Sequence, residues 1–339
     1  MKVLLLPTEL AGQVNLRAQG LRVIGVEAYN TARVDPRGYP VDIDPRITWL
    51  PFMKKTRDPF LFFKWANEFD LFHYNKSPYL PMGIDVKILH KRNKPFVIQF
   101  WGSEIRLYEL EKKRNPYFIG DNATNQKRKI NRLKFWSDFT DEVIFPDHSA
   151  DLFLKPYFNK IHVVEVSVDT KLYSPEFPSP ENKKPIVVHA PSIKTTKGTE
   201  SVTATVEKLR RMGLNFEYIE VTGVSHQKAM HIYSKADIVV DQLRIGSHGA
   251  FACEAMALGK PVICYIQDEL LGTYPDGFPI VNANPDTIAA VLEELLCSPE
   301  KRHEIGKMSR MYVENVHDIR VVAQKLKNIY QAHINQNKN

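Results

Sequence analysis

The sequence predicts an α/β chain built from two doubly wound domains in tandem. Apolar runs of strand length alternate with helical stretches along the whole chain, which argues for βαβ units and parallel sheets. A proline-rich segment interrupts the alternation near the middle, and 339 residues exceed one core of ordinary size.

The first strand is Val3–Leu6 in MKVLLLP, an apolar start too short for a secretory leader. A helical pattern covers Val14–Ile24. Strands are expected at Asp70–Tyr74, Phe96–Phe100, Val143–Phe145 and His162–Val166. SPEFPSPENKKP (Ser174–Pro185) holds Pro175, Pro178, Pro180 and Pro185 and is the linker candidate. After it come strand Ile186–His189, helix Glu200–Met212, strand Phe216–Val221, helix Gln227–Lys235 and strand Asp237–Val240. Helix Ala250–Leu258 and strand Val262–Tyr265 follow, and helices Pro285–Leu296 and Ile319–Ile334 close the chain. The resulting boundaries are a first domain at 1–168, a linker at 169–185, a second domain at 186–315 and a terminal segment at 316–339 that could cross back to the first domain. Ligands of such sheets sit beyond the carboxyl ends of the strands, so two facing domains would hold a site in the cleft between them.

With 43% hydrophobic and 25% charged residues the composition is that of a globular protein. No apolar run approaches the roughly 18 residues of a membrane span. Cys253, Cys264 and Cys297 are scattered without a metal spacing, which fits a reducing cytoplasm. The net charge of +7 is concentrated in basic clusters between Lys87 and Lys134, suggesting a phosphate-bearing partner. Nucleic acid is not that partner, because no basic motif is interleaved with aromatics. Within Lys127–Lys134 and just beyond it, Ile130, Leu133 and Trp136 recur at helical spacing. This helix either lies on an anionic membrane surface, making the protein peripheral to the inner membrane face, or packs its stripe on the first domain.

The stretch GSHGAFACEAMALGKPVI (Gly246–Ile263) carries the chemistry. Small residues let a ligand approach the backbone, and free amides at a helix N-terminus suit a phosphate. Glu254, one turn into that helix, can accept hydrogen bonds from ribose hydroxyls. A diphosphate on the loop and a sugar on the glutamate describe a nucleotide sugar.

GAFACEAMALGKPVI resembles the signature of the large family of retaining glycosyltransferases of GT-B fold, two Rossmann-like domains facing across a cleft. HAPSIKTTKGTESV (His189–Val202) looks like its donor motif. FDLFHYN (Phe69–Asn75) and VIQFWGSEIR (Val97–Arg106) are similar to its first-domain strands, and VEVSVDTKLYSP (Val164–Pro175) to its interdomain segment. ELAGQ (Glu9–Gln13) stands where the family has a glycine loop. The resemblance implies transfer of a hexose or N-acetylhexosamine, with retention, from a nucleotide diphosphate sugar (UDP- or GDP-linked) to a glycan, lipid carrier or small acceptor. No metal or other cofactor is implied.

By the same resemblance Lys197 neutralises the leaving diphosphate, and Gly249, Ala250 and Phe251 cradle it. Glu254 holds the ribose, and Gly12 and Gly223 belong to the donor side. His73 and Asn75 face the sugar, and Trp101 and Gly102 face the acceptor. Three departures stand out. The first of the two family glutamates falls at Gly246, so Asp241 or Gln242 would replace it. The family arginine falls at Ser192, so Lys194 would supply the second cation. The second of two histidines is Asn75. Asp42-Ile43-Asp44 has the form of a metal-binding DxD, but its proline-rich surroundings argue against that use. His189 and His226 read as structural. A nucleotide-sugar epimerase and a catalytically weak subunit that binds glycan are the alternatives.

Overall fold

The computed structural model describes residues 1–31, 40–44, 46–47, 56–57, 59–120 and 125–336. The chain forms two compact units. One comprises Met1–Leu107, Asn125–Ser167 and Ile319–Asn339, the other Tyr108–Thr124 and Val168–Asp318.

The first unit holds a six-stranded parallel sheet of β1 (Lys2–Leu6), β2 (Glu27–Asn30), β3 (Leu71–Asn75), β4 (Phe96–Gln99), β5 (Glu142–Phe145) and β6 (Lys160–Val163). Their order across the sheet is β2-β1-β3-β4-β5-β6. The apolar run of β1 is buried because a parallel sheet is covered on both faces. Helix α1 (Gln13–Val23) and the chain's last helix, Ile319–Gln336, cover one face, where Val14, Ala18 and Leu21 join Val322, Ala323, Leu326 and Tyr330 in one core. Gly20 permits this approach, since a Cβ there would meet the Ile319 carbonyl oxygen at 2.4 Å. The strand expected at His162–Val166 is found two residues earlier, at Lys160–Val163.

The second unit carries a five-stranded parallel sheet of β7 (Ile186–His189), β8 (Glu217–Glu220), β9 (Ile238–Val240), β10 (Val262–Cys264) and β11 (Val281–Asn282) in the order β8-β7-β9-β10-β11. Several elements escape sequence patterning, helices Pro59–Glu68 and Ile84–Lys91 and strand β11 among them. Strand β2 has no apolar run, and helix Pro299–Val316 buries Arg302, Gly306 and Ser309 as well as Tyr312, Val313 and Val316. Tyr108–Thr124 belongs to the second unit, a departure from the expected boundary at 168. Its cause is polar: Asn115 Nδ2 donates to the Arg244 and Ile245 carbonyls at 3.0 and 3.2 Å, and Gln267 Nε2 donates to Glu111 Oε1 at 2.8 Å.

The basic run forms helix α2 (Gln126–Ser137). Leu133 and Trp136 are fully buried, with Trp136 against Tyr74 and Phe96. The stripe therefore packs on the first unit's core, the second of the two readings of this helix. Lys127, Arg128 and Lys134 form its exposed side. Among the described residues no helix is long and apolar enough to cross a membrane.

Candidate donor site

In the second unit the loops after β7, β8 and β9 lie at the carboxyl ends of adjacent strands. The loop after β7 turns through a short helix, Lys194–Lys197, into α3 (Thr199–Arg211) at Gly198. Gly198 has φ +77°, and a Cβ there would stand 3.1 Å from Leu243 Cβ, so the β7 and β9 loops touch. Lys197 thereby meets Asp241 at the end of β9, with Nζ to Oδ1 2.5 Å. The Asp241 side chain is fully buried and Lys197 is 14% exposed. Asp241 Oδ2 has no hydrogen-bond partner among the described residues.

The Gly246–Gly249 loop leads into α5 (Ala250–Ala257), opened by Gly249. Gly249 has an extended φ of −127°, so its value is space: a Cβ there would lie 3.9 Å from both Asp241 Oδ2 and Gln242 Nε2. Gly246 is different, with φ +88° and room for no side chain, since a Cβ would fall 2.6 Å from Gln267 Cγ. Gln242 donates to the Ser247 carbonyl and shapes the loop from within.

Glu254 faces His226 at the start of α4 (His226–Ser234), with Oε1 3.0 Å from Nε2. The hydrogen bond to Glu254 raises the His226 pKa. His226, expected to be structural, is thus placed beside the proposed ribose carboxylate and joins the site. His189 does fit a structural role: Nδ1 meets the Val240 carbonyl at 2.8 Å and Nε2 the Thr199 hydroxyl at 2.9 Å, and burial lowers its pKa.

Other donor-side residues lie elsewhere. Lys194 is exposed, pairs with Glu220 at 2.7 Å and lines a cleft of about 490 Å³ whose lining includes neither Lys197, Asp241 nor Glu254. It is therefore not the second cation expected beside Lys197. Ser192 and Gly223 are exposed, and a Cβ on Gly223 would meet open space. The Phe251 ring packs on Tyr233 at 4.8 Å, leaving only its backbone to the loop.

The first-unit residues require correction. Gly12 has φ 81° and starts α1, but Glu9 occupies that helix end: its carboxylate accepts from the Leu10, Val14 and Asn15 amides at 2.7, 3.2 and 3.0 Å. The anion suited to these amides is the chain's own. His73 is fully buried, with Nδ1 2.5 Å from the Tyr330 hydroxyl, and burial drives its pKa down to about 3. The last helix encloses this neutral ring. Asn75 is also fully buried and accepts at 3.1 Å from Trp101 Nε1. Its role is to orient Trp101, whose ring stacks on the buried Arg17 guanidinium at 4.5 Å. Arg17 donates to Gln99 and, at 3.0 Å each, to the Val164 and Glu165 carbonyls. Gly102, at φ 130°, is buried beside Arg106. Asp42 pairs with Arg22 at 2.8 Å and accepts from the Asn30 amide. Glu9 had a sequence signal, an acid just ahead of a helix start. Arg17 had none within the helical pattern.

Residues 212–311 match the family described as glycosyl transferases group 1. This stretch of the second unit is similar to that family, over less than a third of the chain. The match takes in the Gly246–Gly249 loop, Glu254 and His226, and stops short of Lys197. The whole chain is similar in fold to sucrose-phosphate synthase from Thermosynechococcus elongatus, at 16% identity over 99% of this chain and 100% of that one, with a TM-score of 0.64. It is similar to Anabaena HepE in complex with UDP and glucose, at 14% identity over 98% and 100%, TM-score 0.62. A glycosyltransferase from Rickettsia africae aligns at 13% identity over 98% of both chains, TM-score 0.61. The fold is GT-B. No curated protein sequence matches the chain significantly.

Proposed function

We propose that this glycosyltransferase moves a hexose or N-acetylhexosamine, with retention, from a UDP-sugar to a glycan, lipid-linked or small acceptor. The observation that carries the reading is the Lys197–Asp241 pair, brought by the β7 and β9 loops beside the Gly249 gap and α5. The HepE structures with UDP and with UDP-glucose support uridine as the base. The diphosphate lies on the backbone at Gly249 and Ala250, where the N-terminus of α5 favours negative charge. Lys197 adds a full positive charge to it, so the departing oxygen needs no metal. Glu254 accepts hydrogen bonds from the ribose, and His226 holds that carboxylate. As the anomeric C–O bond breaks, positive charge grows on the sugar and negative charge on the diphosphate. A fixed cation and fixed amides stabilise that separation most where water is excluded.

Thermal melts with UDP, GDP, ADP and their sugars test the reading, repeated on Glu254→Ala. A shift selective for uridine nucleotides, lost in the variant, is expected, followed by slow hydrolysis of the matching sugar. A folded protein that no nucleotide stabilises overturns it.

A further inference from the structure

Behind the donor loop lies a second cluster that the transfer chemistry does not use. His248, Cys253 and His317 each offer one donor atom, and these atoms lie within 4.8 Å of one another. Cys253 Sγ is 3.7 Å from His317 Nδ1 and 3.9 Å from its Nε2. A tetrahedral zinc ion, with bonds of about 2.3 Å to sulfur and 2.0–2.1 Å to nitrogen, sets its ligands about 3.5 Å apart. Closing the cluster around an ion thus takes only side-chain adjustments.

The surroundings suit a cation site. Cys253 and His317 are buried, and the His248 ring packs edge-on to His317 with centroids 5.5 Å apart. Among the described residues the His248 Nδ1 atom is buried without a hydrogen-bond partner, an unmet polar group if nothing binds it. Tyr274 and Phe278, stacked at 4.1 Å, cover His248, and Tyr312 packs on His317. An apolar shell of this kind limits solvent access to an ion. The donor set of one thiolate and two imidazoles fits zinc better than the hard cations, which take oxygen.

We propose that His248, Cys253 and His317 form a zinc-class metal site that clasps the turn ahead of α5, and the first turn of that helix, to the C-cap of helix Pro299–Val316. Binding replaces the Cys253 S–H bond with an S–metal bond and releases one proton to solvent, so affinity rises with pH. Three protein ligands leave a fourth position for water. His248 belongs to the Gly246–Gly249 loop itself, and the test does not require turnover.

The test uses the full chain, freed of metal with a chelator and titrated with cobalt(II) and then zinc. Expected is one cobalt per chain with a thiolate-to-metal charge-transfer band and tetrahedral visible bands, displaced by zinc. Cys253→Ser abolishes the charge-transfer band, and His317→Asn weakens binding by more than about 100-fold, the upper end for loss of a mere outer-shell partner. Cys297→Ser, at an exposed thiol, retains it. Circular dichroism confirms that the variants are folded. Should Cys253→Ser fail to fold, His248→Gln and X-ray absorption of the zinc-loaded parent, reading one sulfur and two nitrogens, take its place. No binding overturns the proposal, as does binding without a thiolate band or undiminished in these variants. Loss of that binding in His162→Asn would assign it instead to the Glu142–His162–His333 cluster.

Discussion

Putting the first family glutamate back at position 246 is expected to damage the protein. Gly246 is buried with φ +88°, a region that costs a residue with a Cβ about 1–2 kcal/mol. The added Cβ of Gly246→Ala would lie 2.6 Å from Gln267 Cγ and 2.8 Å from its Cδ and Nε2. Gln267 has little freedom to retreat, being 1% exposed and bonded through Nε2 to Glu111 Oε1 at 2.8 Å. Either the overpacking persists, at about 1–3 kcal/mol, or that bond to a carboxylate is lost at about 1.5–3 kcal/mol. Gly246→Ala is therefore destabilising by about 2–5 kcal/mol, and Gly246→Glu by more because it adds a charge. Urea unfolding followed by circular dichroism measures this. Combining Gly246→Ala with Gln267→Ala removes the clash, and the pair should cost less than the sum by about 1 kcal/mol or more. Gly246→Ala within about 0.5 kcal/mol of the parent, the range of an indifferent surface change, refutes the reasoning.

The His226–Glu254 pair carries a pH signature. Because the folded pKa of His226 is raised, its contribution to stability is complete below the unfolded value of about 6.5 and fades as pH climbs through the folded one. The gap in melting temperature between parent and His226→Gln should be wide at about pH 6 and narrow by about pH 9; a gap that widens with pH contradicts this. In the first unit, Trp101→Phe removes the donor to the buried Asn75 Oδ1 and should cost about 1–3 kcal/mol in urea unfolding. A change below about 0.5 kcal/mol would show that Asn75 finds another partner.

The parallel sheets were legible because their strands are continuous apolar runs such as Val3–Leu6 and Val262–Cys264, and little else produces such runs between helical patterns. Strand β2, EAYN, was not, because pairing with β1 holds it in the sheet without an apolar run of its own. The turn into α5 was legible as well, from the glycines at 246 and 249 ahead of a helical pattern. Partners set by long-range contact left no local trace. Nothing in FDLFHYN says that the last helix closes over His73. Spacing along the chain is also silent on the His248–Cys253–His317 cluster, because the fold and not a short motif brings these residues together.

With glycine required at 246, a carboxylate near the donor loop must come from elsewhere, and Asp241 has the placement. Its Oδ1 holds Lys197 while Oδ2, buried and unpartnered, stands across the space that Gly249 leaves open. A purely structural ion pair and one serving a donor make different demands. Replacing a buried pair with neutral groups of similar shape is often without net cost, whereas removing one partner is destabilising by about 3–5 kcal/mol. Lys197→Met and Asp241→Asn should each lower stability, with less than that full loss for Lys197→Met's partner charge if water reaches it. The double variant should recover most of the loss. If the pair serves the donor, the recovered double variant melts like the parent yet gains nothing from UDP or UDP-glucose. If it keeps the parent's nucleotide-dependent shift, Lys197 and Asp241 only fasten the β7 loop to β9, and the diphosphate rests on the helix terminus alone.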